Sequence, residues 1–184
     1  MSEHIAALAK WALEWQKDVE TLERALASDK ARPEVRRHCA AALNYVVSRM
    51  DLVPDWEPAV GLFDDLMVLR ICAAQALEAI GADDGDGGLD DATTADLGRL
   101  ANQAEHVRDF LGDDLYDKLR AYCEGQTRVG VRGRTPDQLL TDEKARAQLY
   151  TEVNDAVARS APVVIEDESH AAVRLKAYLG HKLK

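Results

Sequence analysis

Apolar residues recur near the start of the chain at steps of three and four: Ile5, Leu8, Ala12, Trp15, Val19, Leu22 and Leu26, with Lys10, Glu14, Lys17 and Glu20 between them. That spacing predicts an amphipathic helix with one buried stripe. Trp11 lies beside the stripe, and core packing is the expectation for both tryptophans, an exposed docking face the alternative. A polar break over Ser28 to Arg32 precedes Pro33, which suits the first turn of a second helix because its missing N–H is not needed there. Val35, Cys39, Leu43 and Val46 give that helix its buried face. A third helix begins near Phe63 and carries Leu66, Leu69 and Ala73. After Gly81, a natural C-cap, ADDGDGGLDD reads as a solvated loop, since Asp83, Asp84, Asp86, Asp90 and Asp91 do not fit a calcium-loop spacing.

From Thr94 the helical period resumes with Leu97, Leu100, Ala104, Val107 and Leu111. Gly112 breaks it, Asp113 is placed to cap the next helix, and Leu115, Leu119 and Tyr122 continue the core. Thr135-Pro136 reads as N-cap and first helical residue, and Leu139, Leu149, Val153 and Val157 mark one or two helices to Ser160. Residues 162–165 form a short extended segment, and Ala172, Leu175, Leu179 and Leu183 close the chain with a last helix. The expected architecture is all-α: a single-domain bundle of six or seven helices. Residues 1–81 form a first helical part, 82–93 an acidic glycine-rich loop, and 94–184 a C-terminal helical part packed on the first as one domain.

Composition agrees with that reading. A chain of 184 residues buries enough surface to fold without a disulfide or a metal, and only 5% of it is aromatic, which favours helix over sheet. Cys39, Cys72 and Cys123 are far apart in sequence and odd in number, so we expect reduced, buried thiols in a cytoplasmic protein. No signal peptide is read at the N-terminus. No transmembrane segment is expected, because the longest apolar run, Leu66 to Ile80, is interrupted by Arg70, Gln75 and Glu78. The formal charge is −10, unevenly spread: residues 81–117 hold 11 acids against Arg99 and Arg108, whereas residues 118–184 hold 12 bases against 9 acids. An acidic middle repels nucleic acid and anionic membranes, so neither is an expected partner.

The stretch least like a regular helix runs from Tyr45 to Leu77. Pro54 biases Val53 away from helical dihedrals, Asp51 can cap a short turn, Pro58 opens another, and Gly61 permits a bend. Asp64 and Asp65 then fall in the first turn of the third helix, where the dipole favours negative charge. The fold-back places Asp51, Asp55, Asp64 and Asp65 in one small volume. The basic cluster Arg36, Arg37 and His38 near the start of the second helix needs carboxylates close by, and these central acids are the candidates. The order Tyr45, Asp51-Leu52-Val53-Pro54-Asp55, Pro58, Gly61 and Asp64-Asp65 resembles the YkvA-like bacterial domain of unknown function, whose approximate signature is DLIPDxIPxxGxxDD. The resemblance implies a small helical domain without an assigned activity, in a family some of whose members have membrane-associated helices. Arg49-Met50, Glu57 and Arg70 depart from the pattern and argue against membrane insertion here.

Two sets of residues carry candidate chemistry. Asp51, Asp55, Asp64 and Asp65 offer oxygen ligands of the kind that magnesium, manganese or calcium takes, and a bound ion could polarise a phosphate or activate water. The competing reading is that these acids cap turns, charge a helix terminus or pair with Arg37, Arg49 or Arg70. Arg128, Arg132 and Arg134, among glycines ahead of a helix N-terminus, could hold an anion. The serines and cysteines lack a recognisable catalytic signature, and His38, a lone histidine at a helix edge, is expected to be hydrogen-bonded or solvated, a metal ligand being the alternative. The expectation is therefore a non-catalytic interaction or scaffold module with a protein partner and no cofactor. The alternative is a divalent-metal-binding protein or metal-dependent hydrolase built on the central acids.

Overall fold

The computed structural model describes residues 2–48, 50–54, 56–57, 60–81, 87–160 and 162–184. Among them lie eight helices: α1 (Ser2–Ala27), α2 (Pro33–Val46), α3 (Phe63–Glu78), α4 (Asp91–Leu111), α5 (Asp113–Gln126), α6 (Pro136–Thr141), α7 (Glu143–Arg159) and α8 (Glu168–Lys182). The described residues hold no strand, only an isolated bridge between Val131 and Arg134. The protein is all-α, as expected, with one helix more than the six or seven predicted. The extra one arises at Asp142, which leaves helical dihedrals and accepts a bond from the Ala145 N–H at 3.0 Å, so that α6 stops and α7 is capped afresh.

Capping also moves two other boundaries. Asp90 accepts from the Thr93 N–H at 2.9 Å and starts α4 at Asp91, three residues ahead of the expected Thr94. Gly112, at φ +81°, takes the cap position of α5, so Asp113 sits inside the helix and pairs with Arg108 rather than capping. Thr135 and Gln138 form a reciprocal capping box at α6, with Pro136 at its first turn.

The second half of the acidic loop is only partly solvated: Asp90 and Asp91 are exposed, but its backbone packs down. Gly87 and Leu89 are buried, and the Gly87 carbonyl accepts from the Arg32 N–H at 3.0 Å, pinning the loop to the α1–α2 turn. Gly88 has φ +84°, and a Cβ on it would lie 1.9 Å from the Lys30 carbonyl oxygen, so the close approach requires glycine. Asp83, Asp84 and Asp86 lie outside the described residues.

Helix α3 is the centre of the bundle. It packs against α1, α2, α4 and α5, and every residue from Phe63 to Ala76 except Ala74 is buried. A helix covered on all sides needs no polar face, which explains its near-continuous apolar run. The stripe of α1 closes on it as predicted, with Ile5, Leu8, Trp15, Val19, Leu22 and Leu26 all buried and Trp11 buried beside them.

One charged network crosses this core. Arg70 of α3 is wholly buried, with its guanidinium 4.0 Å from the centre of the Trp11 ring. It donates to Asp18 of α1 at 2.8 Å, to the Leu66 carbonyl at 2.9 Å and to Gln103 of α4 at 2.9 Å. Arg99 donates to the other oxygen of Asp18 at 2.8 Å. Asp18 is thus satisfied on both sides by cations of different helices, the condition under which buried charge is tolerated.

The basic cluster of α2 is neutralised by other groups than the central acids. Arg36 donates to the Leu26 and Leu140 carbonyls, each at 2.8 Å, and lies 3.5 Å from Asp29. Arg37 pairs with Asp137 at 2.7 Å, and His38 faces Glu124 at 3.7 Å. Arg36 and Arg146 together supply donors to carbonyls at the ends of α1 and α6 that have no partner within their own helices.

Candidate functional site

Between α2 and α3 the chain loops out and back, and one tyrosine fixes its course. Tyr45, buried in the last turn of α2, donates its hydroxyl to Asp64 Oδ2 at 2.6 Å and accepts the Leu52 N–H at 2.8 Å. The same Asp64 oxygen accepts the Val53 N–H at 3.0 Å. Leu52 and Val53 are buried, so their amides could not be left to water, and Tyr45 and Asp64 satisfy both. Burial and the negative charges of Asp64 and Asp65 push the Tyr45 phenol well above its ordinary range, so it stays a donor.

Asp64 is wholly buried beneath the loop. Asp51 and Asp65 line the cleft that the loop borders. Tyr122 of α5 meets Tyr45 edge to face at 6.1 Å, and burial, with Cys123, Asp51 and Asp64 nearby, raises its phenol to about 12. Three of the four predicted acids therefore gather around this tyrosine pair, while Asp55 lies outside the described residues. Among the described residues no group of three or more His, Cys, Asp or Glu side chains is arranged to hold a metal ion. Arg70 and Arg37 pair with Asp18 and Asp137, not with Asp64 and Asp65, and Arg49, the third cation expected to pair with these acids, lies outside the described residues.

The cleft encloses about 1470 Å³ between the central loop, Tyr122, the end of α7 and residues 162–164. Its rim carries large apolar side chains in water: Met50 is 82% exposed, Trp56 75% and Val164 69%. Trp56 sits in the loop between two prolines, off every amphipathic stripe, and that position was the available signal for a surface aromatic. Glu57, beside it, is buried and pairs with Arg174 of α8, which ties the loop to the last helix.

The arginines of the anion candidate separate. Arg134 turns inward and grips Glu152 of α7 through two bonds of 3.0 and 2.6 Å, and Arg132, at φ +50°, reaches the same carboxylate at 3.3 Å. The Arg134 bond, foremost, holds Glu152 below the usual carboxylate range. Arg128 is exposed and joins neither. Glu152 and Arg132 form one wall of the cleft.

Over residues 36–70 the chain is similar to a family described as a protein of unknown function (DUF1232). The matched stretch runs from Arg36 in α2 to Arg70 in α3 and so contains Tyr45, the loop, Asp64 and Asp65. Neither the curated proteins nor the solved structures give a match.

Proposed function

We propose that this chain is a non-catalytic interaction module of the YkvA-like kind, and that its cleft takes an apolar, basic-flanked segment of a partner protein. The observation that carries the reading is the concentration of Met50, Trp56 and Val164 at one concave site. Large exposed apolar side chains grouped around a cleft mark a binding surface, and burying each on a partner contributes about 1.5–3 kcal/mol. The net charge of −10 favours encounter with a basic segment. The role of Asp64 as acceptor for Tyr45 and Val53 supports a structural rather than chemical use of that acid.

Trp56 is a built-in reporter, because Trp11 and Trp15 are buried. Peptides selected from a random library against the intact chain should share an apolar anchor with flanking Lys or Arg, shift Trp56 emission to the blue, and lose binding with Trp56→Ala. Selected peptides that bind Trp56→Ala as tightly as the wild type would overturn the proposal.

A second reading keeps the acids as a divalent-cation site, supported by the convergence of Asp51, Asp64 and Asp65 around Tyr45 and Tyr122. It requires magnesium, manganese or calcium to raise the melting temperature, and Asp64→Asn with Asp65→Asn to remove that rise. Equal stabilisation of wild type and double variant would sink it.

A further inference from the structure

Away from the central acids, two imidazoles meet across a helix pair. His4, in the first turn of α1, and His106, on α4, bring Nδ1 and Nε2 to 3.1 Å, both rings half-buried. Their centroids are 4.6 Å apart and their planes 53° inclined. In the neutral pair this contact is an N–H···N hydrogen bond, one ring donating and the other accepting according to tautomer, so each nitrogen already faces the other across the helix pair. Phe110 stands 5.7 Å from the His4 ring and Trp11 5.8 Å from the His106 ring, aromatic neighbours that limit ring rotation.

A neutral imidazole is a ligand for borderline divalent ions, with a metal–nitrogen bond of about 2.0–2.1 Å. Two nitrogens on one such ion stand roughly 2.9–3.4 Å apart as the angle between them goes from square to tetrahedral. The separation of His4 and His106 falls within that interval. We infer that His4 and His106 are a two-imidazole ligand pair for a divalent ion of the zinc, nickel or copper class, which clips the first turn of α1 to α4. No third His, Cys, Asp or Glu joins them among the described residues, so water completes the coordination. Glu3 and Asp109, whose charges reach His4, offset part of the charge of the ion. This preference for nitrogen ligands separates the site from the oxygen-ligand chemistry of the central acids.

The test uses the full chain without an affinity tag and zinc, nickel or copper ions added singly, with magnesium as the control. One equivalent of zinc should bind, and at about a hundredfold excess over Kd the melting temperature should rise by roughly 5–10 °C. His4→Ala and His106→Ala should each abolish the rise, and magnesium should cause none. In the wild-type protein, electron paramagnetic resonance of bound copper should show coupling to two imidazole nitrogens, a readout independent of how the variants fold. Absence of zinc binding, binding that survives both substitutions, or a copper spectrum without nitrogen coupling would each overturn the inference.

Discussion

The Tyr45 hydroxyl donates to Asp64 at 2.6 Å and, through its own oxygen, accepts the amide of Leu52, so a single phenol joins the end of α2, the loop and the start of α3. Tyr45→Phe keeps the ring and its contact with Tyr122 but deprives the buried Leu52 N–H of its acceptor and Asp64 of one donor. Leaving such groups unsatisfied costs about 1–3 kcal/mol each. The expected loss, measured by urea unfolding with unchanged m, is about 2–4 kcal/mol. Tyr122→Phe, whose hydroxyl has no hydrogen-bond partner among the described residues, should lie within about 0.5 kcal/mol of the wild type. Similar losses in the two variants would mean that the phenol does not hold the loop.

Arg70 and Asp18 form an ion pair whose side chains are both fully buried, 2.8 Å apart. Removing either partner strands a charge in the core, which costs about 3–5 kcal/mol, whereas replacing both with apolar residues of similar size is far less damaging. Asp18→Leu and Arg70→Met should therefore each destabilise strongly, while the double variant recovers much of the loss. The residual comes from Arg99, which is partly exposed and can turn to water. A double-mutant cycle reads the coupling directly. Additive losses would show that the two charges are satisfied independently.

The helices were legible because burial repeats at helical spacing. The stripe of α1 and the buried face of α4 needed only that period, and Gly112 and Thr135-Pro136 carried their own backbone signals. The network around Arg70 was not legible in the same way. Its partner lies on another helix, and no local spacing encodes that meeting. Yet Asp18 stands on the α1 stripe itself, three residues after Trp15, and a carboxylate in that position asks for a buried cation. At the site, the fold-back of the central stretch was readable from Pro54 and Gly61. Which acid faces inward was not, since Asp64 and Asp65 are consecutive in one helical turn and point roughly 100° apart. Only the course of the loop, fixed by Tyr45, decides that Asp64 is enclosed while Asp65 lines the cleft.

Cys39, Cys72 and Cys123, distant in sequence, are all free and buried, on α2, α3 and α5 respectively. A hydrogen bond with Cys123, together with burial, pushes the Cys72 thiol well above its ordinary range, and burial raises Cys39 as well. Since the thiolate is the reactive species, the native protein should not react with a thiol reagent such as an aromatic disulfide at neutral pH, and three equivalents should appear on unfolding. Rapid labelling of any cysteine in the native state would show that the α2–α3–α5 core opens without global unfolding.

Glu23 of α1 has its carboxyl raised from an ordinary 4.5 to about 7, chiefly by partial burial, with Glu20 adding to the rise and the Asn154 side-chain amide, a donor at 2.9 Å, opposing it. A group whose folded value is raised binds its proton more tightly in the native state. Its contribution is therefore full below the unfolded value and is lost as pH climbs towards the folded one. Half exposure reduces the effect to about 1–2 kcal/mol over that window. Glu23→Gln keeps the acceptor for Asn154 and removes the charge. Urea unfolding at about pH 4 and about pH 8 should find the variant equal to the wild type at the lower pH and more stable by roughly 1 kcal/mol at the higher. A difference independent of pH would mean that Glu23 titrates normally, and that the α1–α7 contact it makes with Asn154 carries no pH dependence.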